Sequence, residues 1–215
     1  MNRCFGPGLL AAGLFFAPSL PALAHPHVVV AARSEVVFSG ASIVAIRHAW
    51  TFDKAYSAFI TQGLDKNGDG SMAPEELQDL AKENTTSLVD FDYFTIFKAN
   101  GAKQAFAEPQ NPGMTFAHGE ATLTYLLPLR KPLSAFKTMS LEVYDPTFFV
   151  AFSFAGDRDA VKLSGAPPGC AVSISRPKQA EAAQAQSMSE SFFEALTAAS
   201  TYGAQFASRA IVACP

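Results

Sequence analysis

Apolar positions along the chain fall into two periods. Residues 27–52 follow the two-residue period of strands with one buried face. Val28–Ala32 and Glu35–Phe38 are apolar-rich runs, and Ser39-Gly40-Ala41-Ser42 is a turn sequence. Ile43–Phe52 alternates so that Val44, Ile46, His48, Trp50 and Phe52 share one face, which predicts a hairpin. The period then changes. Tyr56, Phe59, Ile60, Gly63 and Leu64 recur at helical spacing, as do, less regularly, Leu77, Leu80, Ala81 and Leu88. Residues 53–88 therefore predict a helix–loop–helix insert, with Asp53 as the N-cap of its first helix.

Strand character resumes at Tyr93–Lys98 and ends at the tight-turn dipeptide Asn100-Gly101. Phe106–Gly113 reads as a loop. Phe116–Leu127, Thr138–Tyr144 and Phe148–Phe154 are the clearest strands, the last two separated by a turn at Asp145-Pro146-Thr147. Ala160–Leu163 and Ala171–Ser175 are weaker ones. Gln179–Ala199 is rich in Ala, Gln and Glu and predicts a C-terminal helix with an apolar stripe of Met188, Phe192, Ala195, Leu196 and Ala199. Gln205–Cys214 predicts a final strand. The sum is an α+β fold: a mostly antiparallel, sandwich-like β body carrying a helical EF-hand-like insert and a C-terminal helix.

The loop inside the insert brings in chemistry. Asp65–Glu76, DKNGDGSMAPEE, fits the twelve positions of a calcium-binding EF-hand loop without a gap. Calcium takes six to eight hard oxygen ligands. Asp65, Asn67 and Asp69 stand at positions one, three and five; Ser71 at seven offers its backbone carbonyl; Glu76 at twelve offers both carboxylate oxygens. Ala73 at position nine has no side-chain oxygen, so water fills that place. Gly70 permits the sharp turn, Met72 is the inward apolar residue, and Pro74 starts the exiting helix. An Asp/Asn/Gly turn that binds nothing has a related composition.

The ends suggest export. Residues 1–24 read as a secretory signal: Arg3, an apolar run from Leu9 to Phe16, and a small-x-small cleavage site at Ala22-Leu23-Ala24. The apolar run is too short to span a membrane, and the expected product is a periplasmic single domain of residues 25–215. Cys4 leaves with the signal, so Cys170 and Cys214 form an even pair in an oxidising compartment, where a disulfide between them is expected. The net charge of −3 is modest and the Lys and Arg residues are scattered, giving no footprint for nucleic acid.

Several of these residues recur in one known order. A His-Pro-His start after a signal, a strand ending in Trp50-Thr51-Phe52-Asp53, an acidic D-x-N-x-D-G loop and the segment Val143–Phe149 follow one another. In that order the chain resembles a bacterial domain-of-unknown-function family, number one thousand and seven, described as the periplasmic component of an uncharacterised ABC-type transport system. The resemblance covers nearly all of residues 25–215. It implies a periplasmic location and a link to nickel or cobalt transport. It supplies no catalytic residues.

The four histidines are His25, His27, His48 and His118. A terminal amine with the His25 and His27 imidazoles could converge on Ni²⁺, Co²⁺, Cu²⁺ or Zn²⁺. Pro26 lacks the amide that a square-planar terminal motif deprotonates. An exposed chain end is the plainer reading of that segment. His48 reads as a core or edge residue beside Trp50, and His118 as a surface residue alternating with Glu120. The leading expectation is a non-enzymatic, calcium-binding periplasmic accessory of a metal-ion transport system. Alternatives are a module that docks an inner-membrane metal transporter without a transition-metal site of its own, and a copper enzyme built on the terminal histidine. No H-E-x-x-H, P-loop or GxGxxG motif is present.

Overall fold

Two β-sheets share one core, and the helical insert sits on the outer hairpin of the larger sheet. A computed structural model of the chain describes residues 27–134, 138–156, 158–176 and 207–215. The expected signal segment, His25 and the helix expected at Gln179–Ala199 lie outside these residues.

The first sheet is built on β1 (Val28–Ser39) and β2 (Ser42–Phe52), an antiparallel hairpin turned at residues 40 and 41. After the helices α1 (Lys54–Ile60) and α2 (Pro74–Ser87) come β3 (Thr95–Ala99), β4 (Ala102–Lys103), β5 (Gln110–Ala117), β6 (Glu120–Ser134), β7 (Met139–Val143), β8 (Val150–Phe154), β9 (Val161–Ser164), β10 (Ala171–Ser175) and β11 (Ser208–Ala213). The order in the first sheet is β5-β6-β2-β1-β8, and β9 also pairs with β1; that in the second is β10-β11-β7-β3-β4. Pairing is mostly antiparallel, as expected. The exception is β1: its first half runs parallel to β8 and its second half parallel to β9.

The alternation on β1 and β2 places Val30, Val36, Ile46, Trp50 and Phe52 in the core. Val44 leaves the expected face. A register shift between Ile43 and Ala45 against β6 turns Ile43 and Ala45 inward and leaves Val44 half-buried. Facing residues from the second sheet include Phe97, Met139, Leu141, Val143, Ala210 and Val212.

Three local expectations are corrected. Phe116–Leu127 is not one strand, because His118 and Gly119 turn the chain with φ of 56° and 82° and separate β5 from β6. Tyr93 and Phe94 are not in β3. They belong to a tight turn over Leu88–Phe94, where Asp92, Tyr93 and Phe94 all take left-handed conformations. The loop expected over Phe106–Gly113 contains the irregular start of β5. Asn100-Gly101 does form the tight turn between β3 and β4, with φ of 48° and 80°.

Cys170 and Cys214 are joined by a disulfide across 44 residues, next to the pairing of β10 with β11. Among the described residues no helix is long and apolar enough to cross a membrane.

Candidate metal centre

The loop that carries the acidic motif is held between two helices docked on the β5–β6 hairpin. Asp53 starts α1: one carboxylate oxygen accepts the Tyr56 amide at 2.9 Å and the other the Val29 amide of β1 at 2.9 Å. Partial burial pushes its carboxyl up, but these amide hydrogen bonds outweigh that and hold it below the usual aspartate value. Ser57 on α1 is fully buried, and its hydroxyl accepts the Ala121 amide of β6 at 2.9 Å. On α2, Leu77, Ala81 and Thr85 recur every four residues and form its buried side. The Gln78 side chain reaches the Pro112 carbonyl of β5 at 3.1 Å. Both ends of the loop are thus fixed to the sheet.

Inside the loop, backbone amides converge on side-chain carboxylates. Asp65 Oδ1 accepts from the amides of Gly68 (2.8 Å) and Asp69 (3.2 Å), and Oδ2 accepts from Gly70 (2.9 Å). Glu76, from the first turn of α2, reaches back across the loop. Its Oε1 accepts the amides of Lys66 (2.9 Å) and Asn67 (3.4 Å), and its Oε2 the amide of Ala73 (3.0 Å). Asp69 Oδ1 takes the Ser71 amide and hydroxyl, both at 2.7 Å, while Oδ2 takes the Asn67 side-chain amide at 2.8 Å. The Ser71 hydroxyl and amide, with Asn67, lower the Asp69 pKa. Gly68 and Gly70 have φ of 70° and 81° with open space at each Cβ position, so these turns need glycine for its backbone freedom alone.

The last and first carboxylates of the motif therefore cover adjoining stretches of backbone, Glu76 the amides of residues 66 and 67 and Asp65 those of residues 68–70. As placed, they are occupied by amides. Among the described residues, no group of three or more His, Cys, Asp or Glu side chains stands close enough together to hold a metal ion. Asp65 Oδ2, Asp69 Oδ2 and Glu76 Oε2 each accept one bond and keep a lone pair for a cation, whereas the other oxygen of each carboxylate accepts two. In chemical type the donors are all oxygen: Asp65, Asn67, Asp69 and Glu76 side chains and the Ser71 carbonyl. That set suits a hard ion such as calcium and fits poorly with a soft one.

The histidines are dispersed. His27 is exposed, its ring 4.7 Å from that of Phe149 and its amide bonded to the Phe149 carbonyl. His118 is exposed in the β5–β6 turn. His48 is completely buried between the sheets. Its Nδ1 lies 3.0 Å from Ser34 Oγ on β1, and its Nε2 lies 3.3 Å from Thr95 Oγ1 on β3. Thr95 donates its only hydroxyl proton to the Tyr93 carbonyl at 2.7 Å. Toward His48 it can only accept, so Nε2 carries the ring proton and Nδ1 accepts from Ser34. Burial drives the His48 pKa down to about 3. This neutral linker between two sheets was not foreseen from sequence as more than a core histidine.

A family profile described as "Protein of unknown function (DUF1007)" matches residues 10–214. An uncharacterized protein of Haemophilus influenzae is 26% identical over 183 residues, which cover 84% of this chain and 85% of that protein. An uncharacterized 15.5 kDa protein in the trpE 3' region of Spirochaeta aurantia is 30% identical over 90 residues, covering 42% of this chain and 64% of that one.

Proposed function

We propose that this chain, which belongs to the DUF1007 family of proteins of unknown function, is an exported, non-enzymatic accessory protein that binds calcium in the loop Asp65–Glu76. The observation that carries this reading is the reach of Glu76 back over the loop to the amides of Lys66 and Asn67, next to those held by Asp65. A twelve-residue loop binds calcium only if its last carboxylate can return toward its first, and the turn of Glu76 onto the amides that adjoin those held by Asp65 supports that return. The side chains of Asp65, Asn67, Asp69 and Glu76 and the carbonyl of Ser71 would hold the ion.

Calcium would be structural in this role. Three acidic ligands and no side-chain oxygen at Ala73 point to the weak range typical of extracellular modules, about 10⁻⁴ to 10⁻³ M. In a calcium-rich compartment the loop would be filled most of the time. Both helices dock on β5 and β6, so filling the loop would stiffen that hairpin.

The cysteine pair joined as a disulfide favours an oxidising compartment. With the signal-like residues 1–24, it supports periplasmic location. A role beside a nickel or cobalt transporter of the inner membrane is what the resemblance noted in the sequence implies. A transition-metal site at His25 and His27 would need the terminal amine, and the ring of His27 is exposed beside Phe149. Calorimetry with chelator-stripped protein tests the calcium reading. Heat saturating at millimolar calcium is expected, and no heat would refute it. Equilibrium dialysis against nickel, cobalt, copper and zinc tests the histidine site separately.

A further inference from the structure

A cavity of about 590 Å³ opens between the C-terminal half of α2, the turn over Leu88–Phe94 and the connection from β7 to β8. Its walls are largely aromatic and aliphatic, with Leu80, Phe91, Phe94 and Phe149 among them. Phe91 and Phe149 are 54% and 47% exposed, large for phenylalanines. The wall is not loose. Phe91 stacks on Phe94 with ring centres 5.0 Å apart, and Phe94 packs 5.3 Å from Phe152, which meets Trp50 at 4.9 Å. An aromatic chain therefore runs from the core to the rim.

The backbone on both sides is held in unfavourable conformations. Asp92, Tyr93 and Phe94 have φ of 52°, 57° and 47°, and Phe148 has φ of 58°. None of these is glycine, and three left-handed residues in succession are unusual. Such strain persists where the surrounding structure enforces it, and here it sets Phe91, Phe94 and Phe149 around one opening.

The charge of the cavity is one-sided. Glu83 and Asp145 line it, and among the described residues no Lys, Arg or His does. Two other clefts are mixed in charge: Asp92 with Lys103 and Arg130 in one, Glu35 and Asp159 with Arg33, Arg47 and Lys162 in the other. Asp145 is only 5% exposed. Its Oδ1 accepts the Thr147 amide and hydroxyl, both at 2.8 Å, and its Oδ2 accepts the Val150 amide at 3.0 Å. Oδ2 thus retains acceptor capacity. Among the described residues neither Asp145 nor Glu83 is in an ion pair.

We propose that this cavity binds an organic cation with an apolar body, a quaternary or protonated amine. The aromatic faces attract such a cation and the two carboxylates complement its charge. Other ligand classes fit less well. An anionic lipid or acid would meet two like charges. A neutral apolar molecule would strip water from Asp145 without replacing it. A bare calcium ion needs six or more oxygens, which these apolar walls do not offer. The site shares α2 with the acidic loop but does not depend on calcium being bound there.

Trp50 is the chain's single tryptophan and lies 6.5 Å from Phe94, so its fluorescence reports on the cavity. The test titrates the purified protein with benzyltrimethylammonium, its neutral isostere neopentylbenzene, and phenylacetate, with calorimetry as a second readout. Saturable binding of the ammonium alone is expected. Glu83→Gln and Phe91→Ala, both changes at the rim, should each weaken it about two- to fivefold. The proposal is overturned if the ammonium does not saturate, if the neutral isostere binds as well, or if both variants bind like the parent protein.

Discussion

His48 is the residue on which the two sheets meet. It is neutral, wholly buried, and bonded on one side to β1 and on the other to β3. Its folded pKa of about 3 lies below the unfolded value of 6.5. Between those values the unfolded chain takes up a proton that the folded protein refuses. The contribution is therefore complete above pH 6.5 and is lost as pH falls toward 3, at about 1.4 kcal/mol per pH unit. Urea unfolding at pH 7.0, 6.0 and 5.0 should show stability falling over a range where few carboxylates titrate. His48→Gln should flatten that fall. An equal slope in both proteins would contradict the assignment.

Two atoms beside His48 tell the opposite story. Among the described residues the buried Trp50 indole nitrogen has no hydrogen-bond partner, and the buried Tyr125 hydroxyl has only Thr95 beside it, outside good hydrogen-bond geometry. Burial also raises the Tyr125 pKa well above its ordinary value. A buried hydroxyl with no more than a poorly aligned contact to Thr95 is a cost, so Tyr125→Phe should leave stability unchanged or raise it by about 1 kcal/mol. A thermal melt that fell by several degrees would show that the hydroxyl makes a full hydrogen bond to Thr95.

At the scale of elements, Asp53 joins a strand to a helix. It caps α1 through Tyr56 and at the same time fixes the start of β1 through Val29. Asp53→Ala should destabilise by about 1 to 2 kcal/mol, the upper range for a cap, because two amides lose their acceptor. Chemical denaturation measures it, and a change within error would mean that water replaces the carboxylate at no cost.

This cap was legible in the sequence, as were the β1–β2 hairpin, the Asn100-Gly101 turn and most of the strands from Thr138 onward, though Phe148 and Phe149 fall in the turn before β8. Each rests on a local signal: period two, a short polar side chain before a helix, or a dipeptide suited to positive φ. The failures have physical causes too. His118-Gly119 turns the chain inside a run of strand formers, and histidine in a left-handed conformation gives no clear warning. Tyr93 and Phe94 have high strand propensity but are held in a left-handed turn by packing, which overrides propensity. Val44 keeps its place in the alternation and loses its face to a register shift set by β6. The acidic loop was legible as a pattern. Its docking on β5 and β6 was not, because Ser57 and Gln78 meet residues 64 and 34 positions away.

For the whole molecule, the disulfide ties the final strand to β10. Closing a loop of 44 residues stabilises by about 4 kcal/mol in the chain-entropy model. The double variant Cys170→Ser with Cys214→Ser should unfold at markedly lower urea concentration, and an unchanged midpoint would show that the strand pairing needs no tether. The proposed export would carry the protein out of the cytoplasm. There, a loop of all-oxygen donors would meet calcium at concentrations suited to weak sites.

The most direct measurement is calcium titration of the chelator-stripped protein, followed by heat of binding and melting temperature, beside the double variant Asp65→Asn with Glu76→Gln. The account predicts saturation near 10⁻⁴ to 10⁻³ M with a rise in melting temperature, and loss of both in the double variant. Equal behaviour of the two proteins, or no response from either, would contradict it.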